Sequence, residues 1–423
     1  MEEVTLSQVL AARDTRAETQ KRLLAEHGLP LLCLTMNIAG PVKRSGLIDF
    51  AFREALRDLR ARLGEAVRLE ETVDAPTGLE AVLVCTLPAG ELKALAVAQE
   101  TAGRAGRLLD VDVIAPEGGK LSREVPRTCL VCGGPAAPCA RSRAHGLPAI
   151  QAASRALLED FAADRLSRLA VEALAAEAEL TPKPGLVDRH NSGAHRDMDL
   201  RLLLRSAEVL RPYFRRAAVL GLERPDCMPA LQKTGMEAEE AMLAATGGVN
   251  THRGAVYAFG LILAALGTVL ARGGDVFQIA ADLAEAGIPP DAGSHGGMAG
   301  RRYRVTGARG EAMAGFPHAR RAWTALRAGG PYKALLTLLS EVNDTNLLHR
   351  GGLEGLRFVQ REAGRILSEP EETYAFQLEN LDKSCILKNL SPGGSADLLA
   401  LALLLERTED VWRNPLVRSS GLW

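Results

Sequence analysis

A small α+β domain followed by a larger all-α domain is the architecture that this sequence predicts. Three observations carry it. The chain has 423 residues, too many for one ordinary hydrophobic core, so two domains are expected. Short apolar runs of strand character alternate with helical stretches through the first third and then nearly stop. After that, one helical stretch follows another. The change of character places the boundary near residue 160, dividing the chain into 1–160 and 161–423.

Composition narrows the function. Hydrophobic residues make up 47% and charged residues 24%, the balance of an ordinary folded soluble protein. The formal net charge of -1 and an aromatic content of 4% argue against nucleic acid as a partner. The first twenty residues lack an apolar signal core. The longest apolar run, Ala255 to Ala271, is short for a membrane span and contains Gly260 and Gly267, so it reads as a buried bundle helix. Seven cysteines, an odd number, suggest free thiols and a cytoplasmic setting rather than a disulfide framework.

In the first third, residues 5 to 28 read as a helix with Leu6, Val9, Leu10, Leu23 and Leu24 on one stripe. Arg16 and Gln20 share a face of it, either solvated or facing a ligand. Leu29 to Met36 is an apolar strand leading into a Gly40-Pro41 turn and Lys43, an arrangement that offers amides and an ammonium to phosphate. Phe52 to Leu63 reads as a helix, Glu80 to Leu87 as a strand and Leu92 to Thr101 as a helix. In the stretch 106–114, GRLLDVDVI, strand alternation sends Asp110 and Asp112 to one face and Val111 and Val113 to the other. Two such carboxylates suit joint binding of Mg²⁺ in phosphoryl or nucleotidyl transfer, and equally suit a half-exposed strand face. Cys129, Cys132, Cys139 and His145 supply four ligands of zinc type, with Arg141 and Arg143 between them. The alternative is free thiols in an apolar turn, with the arginines and His145 on phosphate.

Ile150 to Ala178 is one long helix, followed by Thr181 to Asp199, TPKPGLVDRHNSGAHRDMD. Pro182, Pro184 and Gly185 make this a loop. Its polar content exceeds what a core uses: Lys183 suits phosphate, and Asp188, Asp197 and Asp199 suit a divalent cation. Helices follow at 199–220, 236–245, 255–271, 276–286, 332–343, 355–367 and 396–407. Polar clusters recur at their ends. Gly247, Gly248, Asn250 and Thr251 open the apolar helix, where free amides and the helix dipole favour an anion or a plain N-cap. Asn343, Asp344 and Asn346 form a second cluster, suited to a metal, a ribose or a helix stop. Gly393, Gly394, Ser395 and Asp397 form a third, at the start of the last helix. Residues 307–312, which include Arg309, read as a loop able to close over a ligand. The chain lacks a P-loop ending and a dinucleotide fingerprint after a strand. The clusters together describe loops converging on an anionic, metal-bound ligand.

At these residues the sequence resembles two enzyme families over nearly its full length. Residues 181–199, 246–254, 307–317, 343–352 and 391–397 look like the triphosphoribosyl-dephospho-CoA synthases. Residues 13–20, 35–43, 106–113 and 127–145 look like the citrate lyase holo-acyl-carrier-protein synthases. The order is that of the fused enzyme. The resemblance implies that the helical domain joins ATP to 3'-dephospho-CoA with loss of adenine. It implies that the first domain then transfers phosphoribosyl-dephospho-CoA to the apo acyl carrier protein (gamma subunit) of citrate lyase, releasing pyrophosphate. Asp110, Asp112, Asp188, Asp197, Asp344 and Asp397 are then the expected Mg²⁺ ligands or bases, and His190, His195 and His252 the expected proton-transfer groups. Arg16, Gln20, Lys43, Arg141, Arg143, Lys183, Arg309 and the glycine turns would bind substrate. The rival readings are an ADP-ribosyl hydrolase with a carrier-docking module, and the equivalent malonate decarboxylase pathway.

Overall fold

The computed structural model describes residues 2–103, 105–287, 303 and 305–413, and has an α+β unit followed by a helical one. The first is built on Met1–Ala162 with Leu270–Gly273, the second on Ala163–Val269 and Gly274–Asn414.

Helix α1 (Leu6–His27) starts at a capping box. The Thr5 hydroxyl accepts from the Gln8 amide, and the Gln8 side chain accepts from the Thr5 amide at 2.7 Å. Strands β1 (Leu31–Met36), β2 (Val67–Ala75), β3 (Gly78–Cys85) and β4 (Leu109–Ile114) pair antiparallel in the order β2-β3-β1-β4. Alternation sends Leu32, Leu34, Leu83, Val111 and Val113 to one face. Helices α2 (Gly46–Leu63) and α3 (Ala89–Thr101) cover it with Phe52, Leu56, Leu59 and Leu92. Leu31, Cys33, Val82 and Val84 turn to the other face, where Leu23 of α1 meets them. The sequence pattern does not reveal β2. It is an edge strand, VRLEETVDA, with no buried residue, and it is held by its hairpin with β3, in which Ala75 pairs with Gly78. After β4 comes a short helix, α4 (Ala136–Ser142).

Helix α5 (Leu147–Glu179) carries the chain into the helical unit. The expected single helix over 199–220 is two, α6 (Leu200–Val209) and α7 (Arg211–Glu223), because Pro212 begins a new helix. Helices α8 (Met228–Ala245), α9 (Arg253–Arg272) and α10 (Val276–Ala286) follow. Residues 307–312 are not a loop: Gly307–Met313 is a helical turn pair, α11. Helices α12 (Pro317–Glu341) and α13 (Thr345–Leu367) begin earlier than their patterns suggest. Each contains glycine breaks, at Gly329 and Gly330 in α12 and at Gly352 in α13. Helix α14 (Tyr374–Leu387), whose apolar periodicity is weak, precedes α15 (Gly393–Arg407). Helix α12 packs on both α13 and α15.

The apolar run is α9, the core of this unit rather than a membrane segment. Its most apolar stretch has a mean hydropathy of 2.0 and is 89% buried in the protein. A Cβ on Gly267 would lie 2.3 Å from the Ala218 carbonyl oxygen, so α7 and α9 meet backbone to backbone. The Thr268 hydroxyl, donating to the Gly221 carbonyl at 3.1 Å, satisfies that contact.

Candidate active sites

In the α+β unit, β4 presents Asp110 and Asp112 on the face opposite Val111 and Val113, in register with Thr35 and Cys33 of β1. Helix α1 lies over the same face: Gln20 Nε2 sits 3.3 Å from Cys33 Sγ, and Arg16 pairs with Glu80 of β3 at 2.8 Å. Cations meet the acids. Arg127 donates to Asp110 Oδ1 at 2.6 Å, and Lys120 donates to Asp112 Oδ2 at 2.5 Å. Below them Glu100 is 3% exposed. It accepts the Val111 amide at 2.9 Å and pairs with both Arg123 and Arg127. This is a buried carboxylate that fixes two arginines against a strand carrying two more acids. Glu100, Lys120 and Arg123 lacked a sequence signal, because their partners lie on other elements; Arg127 opens the 127–145 motif, which assigns it no role of its own. Lys43 donates to the Ile38 carbonyl at 2.5 Å, and burial, then Arg13, lowers its ammonium pKa. Arg141 and Arg143 are exposed, on and just after α4.

Beside this face lies the cysteine cluster. The ligand atoms of Cys129, Cys132, Cys139 and His145 all fall within 4.8 Å of one another, the one such group of metal-ligand type among the described residues. Hydrogen bonds from the backbone amides of Cys132 and Val131 lower the Cys129 thiol to about 7, and the neighbouring thiols push Cys139 up to about 11.

In the helical unit the loop 181–199 is organised by two carboxylates. Asp188, 3% exposed, accepts from the Lys183, His190 and Asn191 amides at 3.0, 2.7 and 3.0 Å. Asp382 of α14 accepts from the Gly185 amide at 2.8 Å and from Asn191 Nδ2 at 3.0 Å. Lys183 is 1% exposed and pairs with Glu177 at 2.6 Å, so it stands inside the protein as half of an ion pair rather than open to phosphate. His195 bonds Ser391 Oγ through Nε2 at 2.8 Å and faces Arg350 at 3.3 Å. Burial, then Arg350, keeps its pKa down. Asp197 lies 3.8 Å away on the solvent side. His190 is exposed and, with Asp188, Asn191, Ser192, Asp199 and Arg201, lines an open cleft of about 260 Å³.

Asp344 ties two helices together. Its Oδ1 caps α13 through the Asn346 and Leu347 amides at 2.9 and 3.2 Å, and its Oδ2 accepts the Ser395 amide and hydroxyl at 2.7 and 3.0 Å. Gly393 and Gly394 permit this approach: a Cβ on Gly393 would stand 2.5 Å from Asn346 Nδ2. Asn343 is exposed beside them. Asp397 lies at the start of α9, where a Cβ on Gly254 would fall 2.0 Å from its Oδ2. Its carboxyl pKa is raised well above the usual range, first by burial and then by Glu177 and Asp344, against a hydrogen bond from the Ala255 amide. Asp397, Glu177 and Asp344 thus form a cluster of acids near enough to repel one another, with Lys183 paired to Glu177.

Gly247 and Gly248, both exposed and at positive φ, form the turn before α9, and Asn250 accepts the Arg253 amide at 3.2 Å as its cap. Thr251 bonds Ser206 Oγ at 2.6 Å, and Ser206 bonds His252 Nδ1 at 2.9 Å. Arg309 on α11 donates to the Gly287 carbonyl at 3.1 Å. His252 is buried and neutral: burial, then Lys183, pushes its pKa down to about 4. The unfolded chain protonates this imidazole near its ordinary 6.5. Between those values the unfolded state takes a proton that the folded state refuses. Stability is therefore whole above about pH 6.5 and declines as pH falls towards 4, by about 3 kcal/mol in total. Urea unfolding at pH 7.5 and pH 5 measures this, and His252→Gln is expected to remove most of the difference.

Residues 4–161 match the CitX model, apo-citrate lyase phosphoribosyl-dephospho-CoA transferase, and residues 163–415 match the CitG model, ATP:dephospho-CoA triphosphoribosyl transferase. The protein is a two-domain transferase, an acid-and-arginine sheet face in one unit and a carboxylate-rich set of helix ends in the other. Among relatives, "Protein CitXG" of Haemophilus influenzae is 36% identical over 447 residues, spanning 95% of both chains. The "2-(5''-triphosphoribosyl)-3'-dephosphocoenzyme-A synthase" of Haemophilus ducreyi is 37% identical over 64% of this chain and 98% of its own. A probable synthase of the same name from Albidiferax ferrireducens is 41% identical over 59% of this chain and 92% of its own. The chain belongs to the fused CitXG family, with a triphosphoribosyl-dephospho-CoA synthase domain and a citrate lyase transferase domain in one polypeptide.

Proposed function

We propose that the helical unit, from about residue 161, catalyses attack of the 2'-hydroxyl of 3'-dephospho-CoA on C1 of the ATP ribose. The new C–O bond replaces the C–N bond to adenine, which leaves with the bonding electrons, and the triphosphate stays on the ribose. In this reading His195, kept neutral by burial and Arg350, takes the hydroxyl proton. Lys183 holds the loop through Glu177 rather than gripping phosphate, and Arg201 in the open cleft supplies a cation for the triphosphate. The observation that carries the reading is the acid cluster at Asp397, whose carboxyl is raised well above its usual range first by burial and then by Glu177 and Asp344. The donor set fits Mg²⁺, a hard cation that takes carboxylate oxygens and shares them with phosphates. Asp397, supported by Glu177, would hold it, and bound Mg²⁺ would supply charge neutralisation on the triphosphate.

The α+β unit, residues 1–160, then passes phosphoribosyl-dephospho-CoA to a serine of the citrate lyase acyl carrier protein. The serine oxygen attacks the ribose-bound phosphorus, the P–O bond to pyrophosphate breaks, and the serine proton is lost to solvent or base. Asp110 and Asp112 would hold a second Mg²⁺ at the attacked phosphate. Lys120, already against Asp112, and Arg141 and Arg143 would neutralise the leaving pyrophosphate, while Arg127 holds Asp110 in place.

The test is to incubate the purified chain with ATP, Mg²⁺ and 3'-dephospho-CoA. The expected result is free adenine and a product heavier by one triphosphoribosyl group. Apo carrier protein added next should gain the phosphoribosyl-dephospho-CoA mass as pyrophosphate appears. Adenine remaining on its ribose would overturn the reading of the helical unit.

A further inference from the structure

We infer that Cys129, Cys132, Cys139 and His145 bind a structural Zn²⁺, and that this metal knot is what holds Arg127 against Asp110 in the transferase site. The positioning half of the inference rests on the transferase reading; the metal half does not.

Four observations converge on the metal. The donor set, three thiols and one imidazole within 4.8 Å of one another, is that of a closed structural zinc site. The spacing Cys129-Leu130-Val131-Cys132-Gly133-Gly134 folds as a tight knuckle. Its Cys129 amide donates to the Gly134 carbonyl at 2.6 Å, and the Gly133 amide donates to the Cys129 carbonyl at 3.0 Å. That turn aims the Val131 and Cys132 amides at Cys129 Sγ, as a thiolate ligand requires. Finally, His145 Nε2 is buried without a hydrogen-bond partner, and Cys132 Sγ lies 3.6 Å from Cys139 Sγ. A buried imidazole nitrogen left unpaired has a cost that a metal bond removes. Cys132 is exposed, and Cys129, Cys139 and His145 are only half-buried, so the four ligands meet near the surface rather than in a hydrophobic core.

The link to the site is through the backbone. Arg127 stands two residues before Cys129, and its carbonyl accepts the Ala136 amide at 2.9 Å, where the chain returns towards Cys139. Thr128 bridges to Pro135, and its carbonyl accepts Arg107 Nε at 3.0 Å. From this anchored strand end the Arg127 side chain reaches Asp110 and Glu100. Arg127 is thus a positioning residue for Asp110, and the zinc ligands position Arg127.

The test uses the full chain, purified without a histidine tag. Elemental analysis is expected to find about one zinc per chain, and Co²⁺ substitution to give the intense visible bands of a tetrahedral thiolate site. Cys129→Ser is expected to lose the zinc, and Cys139→His to keep it. Stripping with phenanthroline, with Mg²⁺ present, should lower transfer to the carrier protein by at least about tenfold. Adenine release from the same molecules, an internal check on folding, should stay within about twofold, and added Zn²⁺ should restore transfer. Arg127→Lys should keep its zinc while kcat for transfer falls and KM for the carrier protein holds. Wild-type protein without zinc, or Cys129→Ser with as much as wild type, would overturn the site. Full transfer by zinc-free protein would overturn the positioning role. No transfer even with zinc bound would overturn the transferase reading and that role together, leaving the metal site standing.

Discussion

Asp397→Asn is expected to lower adenine release by about 10²- to 10³-fold, the usual loss when one group that stabilises developing charge is removed. The unusual part of the expectation is the stability of the variant. Asp397 has its pKa raised in the folded protein, so folding disfavours its charged form. The cost is absent at pH values below the ordinary aspartate pKa of 3.8 and grows as pH rises above it. At pH 7.5 the asparagine removes that cost, and the metal-free variant should melt no lower than wild type. Mg²⁺ with ATP should raise the melting temperature of wild type and do much less for the variant, since binding to the folded state alone is stabilising. Thermal scans with and without Mg²⁺ and an adenine assay read both effects. A variant that releases adenine at the wild-type rate would remove Asp397 from the chemistry. The neighbouring ion pair is a poorer probe. Deleting Lys183 would strand Glu177 in the interior at a cost of about 3–5 kcal/mol, and a dead enzyme would then report only misfolding.

Asp110→Asn is expected to act on the other reaction alone. Transfer of preformed triphosphoribosyl-dephospho-CoA to apo carrier protein should fall about 10²- to 10³-fold, because the attacked phosphate loses a charge that holds its metal. Adenine release should stay within about twofold. The fold should survive: Asp110 is partly exposed, and half-exposed pairs such as Asp110–Arg127 contribute no more than about 1 kcal/mol. Carrier-protein mass and pyrophosphate release give the readout. If binding of the carrier persists and transfer also persists, the β4 acids are not the metal site. If binding persists while transfer is lost, a module that merely docks the carrier is excluded. The contrast with Asp397→Asn matters, since each variant should silence one activity and leave the other intact in one polypeptide.

Much of this was legible in the chain itself. The alternation in LDVDVI sets Asp110 and Asp112 on one strand face whatever the sheet around them, because side-chain direction in a strand has a period of two. The glycines and prolines of the loop 181–199 forbid a helix there, and the long motifs TPKPGLVDRHNSGAHRDMD and SPGGSAD carry the family resemblance. The helical character of the last two thirds follows from the 3.6-residue periodicity of its apolar residues. Where local rules compete, the pattern misleads: the two glycines of 307–312 suggest a loop where α11 forms, and β2 gives no strand signal because an edge strand needs no apolar face.

What the tertiary structure alone decided is which charges meet. Lys183 has the sequence setting of a phosphate-binding lysine, yet it is buried against Glu177, six residues earlier on the preceding helix. Asp344 has the setting of a metal ligand, yet its oxygens are taken up capping α13 and binding Ser395, 51 residues away. Glu100, which carried no sequence signal, and Arg127, only the first residue of a motif, become central because they meet at β4. Periodicity and turn chemistry are local and survive in a string of letters. The electrostatic state of a carboxylate depends on its burial and on partners within a few ångströms, which folding draws from anywhere in the chain.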